Sequence, residues 1–254
     1  MKTATFFIHN GLLNLLPKKH KYSKFNYCFS GNQTVKHLIE SLGIPHTEID
    51  QIRVGDRYVG FNYIVYNEDI IYIFPYRINN SSFGMVLQKR WSSNPKFVLD
   101  NHLGKLAKYL RMLGLDISYS NKFQDEELVK IAHSEDRLLL SRDRRLLMHK
   151  IIKNAYLIRN TIPKGQLIEV IERFNLSLSL HPFQRCLNCN QKLEDIQKEE
   201  IIGRLLPLTK RYYNEFRICY NCDQVYWKGS HYVNMTTFLK NIITECKVED
   251  EQFL

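Results

Sequence analysis

Two Cys-x-x-Cys pairs, Cys186 with Cys189 in "RCLNCN" and Cys219 with Cys222 in "CYNCDQ", constrain this chain more than any other feature. Four thiols brought together in this way close a tetrahedral site for zinc, and the gap between the pairs is ordinary for a zinc ribbon. A site with four sulfur ligands has no open position for water, so the expected ion is structural, not catalytic. The pairs also oppose a disulfide framework, because this spacing in a reducing compartment points to metal. Cys28 and Cys246 stand outside the pairs and are expected as free thiols. His231, in "YWKGSH", is read as a structural histidine, with ligand or substrate contact as the alternatives.

Upstream of the cysteines the pattern alternates strand and helix. Strands are expected at 96–99, 116–119, 138–140 and 155–158, and helices at 103–113, 125–133, 144–150 and 165–174. That alternation argues for a parallel sheet covered by helices, an α/β architecture. In such sheets reactive groups gather beyond the carboxyl ends of the strands. Asp100 follows "KFVL", Asp143 follows "RLLL" within "SRDRR", and Asp125 opens the intervening helix, so the three acids are expected to meet. Clustered carboxylates repel unless cations sit among them, and hard oxygen ligands suit magnesium or manganese. The competing reading is that each acid merely caps a helix, since Asp is a preferred N-cap. Glu126 and Glu127 fit the first turn of a helix on dipole grounds alone.

The stretch before residue 79 is of another kind, with short alternating strands around one helix capped by Thr34 and ended by Gly43. "TATFFIHNGLLNLL" and "KFNYCFS" read as two strands joined by a lysine-rich turn, and Gly55-Asp56 as a hairpin. Between the two regions, "NNSSFGMVLQKRWSSNP" has the composition of a linker.

Length and charge agree with several soluble domains. A chain of 254 residues can bury two or three small cores, and a net charge of +10 suggests a polyanionic partner. No apolar run reaches the length of a membrane span, and no secretory signal opens the chain, so a cytoplasmic protein is expected.

"FVLDNHLGKLAKYLRMLGLDISY", "DEELVKIAHSEDRLLLSRDRRLL" and "RCLNCN…CYNCDQVYWKGSH" together resemble the PIN-like RNase family named for the carboxy-terminal domain of the Mut-seven exonuclease. "GNQTVKHLIESLGIPHTEID" with "YNEDIIYIFP" resembles the ubiquitin-like β-grasp domain that precedes some of these nucleases. Sulfur-carrier proteins share that fold, but here the last strand runs into "FPYRINNSS" instead of a terminal Gly-Gly, so sulfur transfer is rejected. The resemblance implies a β-grasp α+β domain at 1–78, a linker at 79–95, a PIN-like α/β nuclease domain at 96–182, a zinc ribbon at 183–235 and a tail at 236–254. It implies catalytic metal at Asp100, Asp125 and Asp143, RNA as partner, and structural zinc at Cys186, Cys189, Cys219 and Cys222. PIN nucleases generally carry four acids, and no clear fourth follows in "NTIPKG"; Glu126 or Glu127 is the substitute.

Lys105, Lys108, Arg111 and Arg142 are the expected phosphate contacts, with the two arginines preferred for their bidentate geometry. Around the cysteines, Arg185, Lys210, Arg211, Arg217 and Lys228 alternate with Tyr212, Tyr213, Phe216, Tyr220, Tyr226 and Trp227. That mixture serves either a small core or single-stranded RNA. The expected activity is metal-dependent RNA hydrolysis. Its rivals are a non-catalytic RNA-binding or ribosome-associated protein and an adaptor built on the β-grasp module.

Overall fold

A computed structural model describes residues 1–20, 22–76, 85–89, 95–176 and 180–251, the last five as backbone only. The chain divides into two compact units, one of Met1–Ser92, Val98–His102 and Ser120–Arg159, the other of Ser93–Phe97, Leu103–Tyr119 and Asn160–Leu254. These units follow other lines than the expected domain boundaries.

The first unit opens with a β-grasp sheet. Strands β1 (Lys2–Ile8), β2 (Lys24–Phe29), β3 (Ile49–Val54), β4 (Arg57–Val59) and β5 (Ile70–Pro75) lie in the order β2-β1-β5-β3-β4. The central pair, β1 with β5, is parallel, with Phe6 opposite Ile71, and helix α1 (Val35–Ser41) crosses over between β2 and β3, which also run in one direction. Ala4, Phe6, Ile8, Ile52, Ile71 and Ile73 bury one face of the sheet with Val35, Leu38 and Ile39 of the helix. Thr34 caps α1 as expected, its Oγ1 accepting the His37 amide at 3.2 Å. The first strand is shorter than its sequence suggests. His9 Nδ1 accepts the Gly11 amide, turning Asn10–Leu15 into a 3-10 helix that buries Leu12 and Leu15. On the opposite sheet face Lys24, Phe7, Tyr72 and Arg53 stand in one cross-strand row. The two rings stack at 4.7 Å, with Lys24 over Phe7 and Arg53 over Tyr72. Both outer ring faces are therefore covered, and Phe7→Ala is expected to cost about 1–2 kcal/mol in denaturant unfolding.

Three further strands complete the first unit. The end of β6 (Phe97–Leu99), then β8 (Leu138–Ser141) and β9 (Ala155–Leu157) lie side by side, β8 parallel to β9, with helices α3 (Asp125–Ser134) and α4 (Arg144–Leu147) packed on β8. Their Val98, Leu128, Leu139, Leu146 and Leu157 belong to the same buried cluster as the β-grasp core. Polar groups join them as well: Glu48, 2% exposed, accepts the Leu157 amide at 2.8 Å and pairs with Arg159 at 2.5 Å. His46 Nε2 bonds the Ile152 carbonyl at 2.8 Å, and Arg144 donates to the Leu15 carbonyl at 2.7 Å. The expected linker falls largely outside the described residues. Its residues 85–89 are docked, with buried Gln88 donating to the carbonyls of His46 and Ile49.

In the second unit β7 (Ile117–Ser118) lies beside the start of β6, where the Phe97 amide bonds the Asp116 carbonyl at 2.9 Å. Helix α2 (Gly104–Met112) packs on α5 (Pro163–Phe174), which starts two residues earlier than expected because Pro163 occupies the first turn, where no amide proton is needed. Gly114, at φ +90°, follows α2, and a Cβ there would come within 2.1 Å of the His181 carbonyl oxygen. The ribbon sheet is β10 (Glu194–Ile196), β11 (Phe216–Cys219) and β12 (Gln224–Trp227), antiparallel throughout. The segment between the cysteine pairs also carries two short helices: α6 (Lys198–Ile201) is fixed by a capping box of Gln197 with Glu200, and α7 (Pro207–Tyr212) by a leading proline. The expected tail is instead the body of helix α8 (Ser230–Glu251), which buries Leu239 and Ile242 and pairs Glu245 with Lys164 at 2.8 Å. Among the described residues no helix is long and apolar enough to cross a membrane.

Candidate active site and metal centre

Each of the three acids is held differently. Asp100 follows β6 at 6% exposure, its amide bonded to the Leu140 carbonyl at 3.1 Å. Its Oδ2 accepts a 2.7 Å bond from the Ser141 hydroxyl, whose oxygen in turn accepts the Asp143 amide at 2.9 Å. Ser141, wholly buried at the end of β8, thus links the side chain of one acid to the backbone of the other. Sequence reasoning gave this serine no role, although it heads the "SRD" turn. Asp143 caps α4, Oδ1 accepting the Arg145 amide at 2.7 Å, so the capping reading holds for this residue. It does not hold for Asp100, since α2 has no side-chain cap, nor for Asp125, which lies inside α3 and not at its cap.

Asp125 is exposed, yet its carboxyl titrates above the usual range, first through desolvation and then through the negative fields of Asp143, Asp100 and Glu126. The three acids therefore share one field. They do not close to the spacing of a tight ligand set: among the described residues, the group of three or more potential ligands with donor atoms all within 4.8 Å is the four cysteines. The chemistry of the donor set nonetheless fits a hard divalent cation, because a buried carboxylate and two exposed ones in mutual repulsion are relieved by positive charge between them.

The basic residues separate into two kinds. Lys105 and Lys108 are exposed on α2, and Arg142 is exposed between Ser141 and Asp143. Arg111 corrects the expectation of a phosphate contact. It is 3% exposed, and its guanidinium makes five bonds to the backbone carbonyls of Ile117, Tyr119, Leu187 and Asn188. A guanidinium has five donors, so none remains for a phosphate. Burial draws its pKa down, while the Cys189 and Cys186 sulfurs act in the opposite sense.

The cysteine cluster lies in the second unit, as Arg111 does. The Cys186 and Cys222 sulfurs are 3.4 Å apart and those of Cys189 and Cys219 3.3 Å, close to the roughly 3.8 Å edge of a zinc tetrahedron with 2.3 Å bonds. Asn190 and Asp223, each just after a pair, adopt the left-handed backbone that bends a knuckle, at φ 74° and 56°. Burial opposes ionisation of Cys189, but the Gln191 amide and the neighbouring thiols outweigh it and bring the pKa down to about 6. Burial and the Cys186 bond push Cys222 up to about 12, as expected when thiols share charge without metal. The four residues fit a closed zinc site. His231 is exposed in the first turn of α8 and is not among them.

Sequence reasoning also missed the groups that fasten this centre. Asn190 accepts the Ile117 amide at 2.9 Å and donates to Asp116 at 2.9 Å, and Arg185 pairs with Asp116 at 3.3 Å. The Tyr226 hydroxyl bonds Cys186 Sγ and the Leu187 amide. A zinc held by four thiolates would carry two net negative charges, and the buried Arg111, bonded to the Leu187 and Asn188 carbonyls, offsets one of them. Arg111→Lys keeps the charge but cannot satisfy four carbonyls, and is expected to cost about 3 kcal/mol and to weaken zinc retention against a competing chelator.

Residues 95–239 match the family model described as Mut7-C RNAse domain. Residues 1–81 match the model described as Mut7-C ubiquitin. No curated protein and no solved structure matches the chain.

Proposed function

Because the chain belongs to the Mut7-C RNAse domain family, we propose that it is a divalent-metal-dependent ribonuclease whose Asp100, Asp125 and Asp143 hold the ion. The observation that carries this reading is the Ser141 link between Asp100 and Asp143, with Asp125 in their common field. Magnesium or manganese, when bound, supplies an acidified water and charge stabilisation at the phosphate. Asp100, fixed by Ser141, is the positioned ligand. Asp143 offers the oxygen not needed for capping, and Asp125 approaches from α3. Glu126 and Glu127, both exposed on α3, are the nearest source of a fourth acid in sequence. Arg142, beside Asp143, and the exposed Lys105 and Lys108 are the cations proposed for the RNA backbone. A reducing compartment such as the cytoplasm keeps the cysteines available for zinc.

One variant tests the reading from two sides. A carboxyl whose folded pKa is raised disfavours folding while ionised, and this penalty fades as pH falls through the raised value. Asp125→Asn is therefore expected to melt no lower than wild type without divalent metal, and to lose the stabilisation manganese gives the parent. It should also lose manganese-dependent cleavage of labelled single-stranded RNA. Equal cleavage by variant and parent would remove Asp125 from the site, and a parent that cuts no RNA would favour the non-catalytic binder.

A further inference from the structure

The second unit contains a 560 Å³ hollow that the carboxylate chemistry does not use. Its floor is one face of the ribbon sheet, where Asp195, Arg217 and Tyr226 stand in one cross-strand row. Its far wall is Phe183 against Tyr232, with ring centroids 4.5 Å apart. The cations around it are already paired, Arg217 with Asp195 at 2.9 Å, Lys228 with Glu215 at 2.6 Å and Arg185 with Asp116 at 3.3 Å, so the hollow carries little net charge. Trp227 stands at its edge, 38% exposed. The indole leans over Gly229, where any Cβ would come within 2.8 Å of its Nε1. Gln184, Gln197 and Asn214 add amides that can both donate and accept.

Flat apolar walls, amide edges and little net charge suit an uncharged aromatic heterocycle better than a phosphate cluster. The volume lies within the range of pockets that enclose one small ligand. We infer that this hollow holds one unpaired nucleobase of a bound RNA strand, stacked on Trp227 and read at its edge by the amides; the inference rests on the reading of the chain as an RNA nuclease. The exposed ion pairs at the rim re-form at little cost, which leaves Lys228 able to follow the adjoining phosphate.

The test is fluorescence anisotropy of a labelled hexauridylate with the full-length protein, without added divalent metal, over a series of salt concentrations. Trp227→Ala is expected to weaken binding roughly tenfold with an unchanged salt slope, because a stacked base and not a phosphate contact is lost. Trp227→Phe should restore most of the affinity. Zinc content equal to the parent certifies that the ribbon is intact, and Gln184→Ala, at an exposed position, should weaken binding a few-fold in any case. Parent-like affinity of Trp227→Ala and Gln184→Ala would overturn the pocket while leaving the RNA reading in place. A fall in salt slope would overturn it in favour of a phosphate contact. No binding by the parent would overturn the pocket and the RNA reading together.

Discussion

Cys219→Ser is expected to empty the metal centre and unfold the ribbon. Cys219 is wholly buried, 3.3 Å from Cys189, and a serine hydroxyl does not replace a thiolate on zinc. The effect should extend beyond the ribbon. Arg111 bonds the Leu187 and Asn188 carbonyls inside the first knuckle, and Asn190 bonds the Ile117 amide, so collapse of the knuckle frees a buried guanidinium beside β7. Losing that network together with the metal is expected to cost several kcal/mol, a fall of about 10 °C or more in melting midpoint. Elemental analysis should find about one zinc per chain in the parent and none in the variant. A zinc-free protein that melts with the parent would show that the cysteines do not support the fold.

Asp100→Asn is expected to lower RNA cleavage at least ~100-fold while leaving the fold intact. The amide is isosteric, and its oxygen can still accept the Ser141 hydroxyl, so only the charge is lost. Ser141→Ala tests the same unit differently. It leaves the Asp143 amide without its partner and Asp100 without its fixed orientation, which should cost about 1–3 kcal/mol of stability and about 10- to 100-fold in rate. Groups that act as one unit are not additive, so the double variant should be little worse than Asp100→Asn. Independent, multiplying losses would separate Ser141 from the acid it touches.

The parts of this protein that were legible are those in which one local pattern decides. Helices α2, α3 and α5 follow from apolar positions at helical spacing, and the cysteine cluster from two short spacings. Asp100 and Asp143 stood out because each ends a strand in an open sheet. Arg111 departs from the expected phosphate contact because the planar fork that suits a phosphate equally suits converging backbone carbonyls. The signal against it was its place four residues after buried Ala107 and directly after Leu110, on the edge of the apolar stripe. The strand-like apolar run at Leu12–Leu15 hid a 3-10 turn set by one histidine. Least legible was the shared core of the β-grasp strands with β8, β9 and α3, since no local pattern records which surfaces a buried Glu48 or His46 will meet.

The central claim is that Asp100, Asp125 and Asp143 share a divalent cation. Anomalous scattering from a crystal equilibrated with manganese tests it most directly. The account predicts a manganese peak within bonding distance of carboxylate oxygens from all three residues, absent in Asp100→Asn crystals. A wild-type crystal whose manganese lies elsewhere, with no carboxylate oxygen of Asp100, Asp125 or Asp143 at bonding distance, would contradict it.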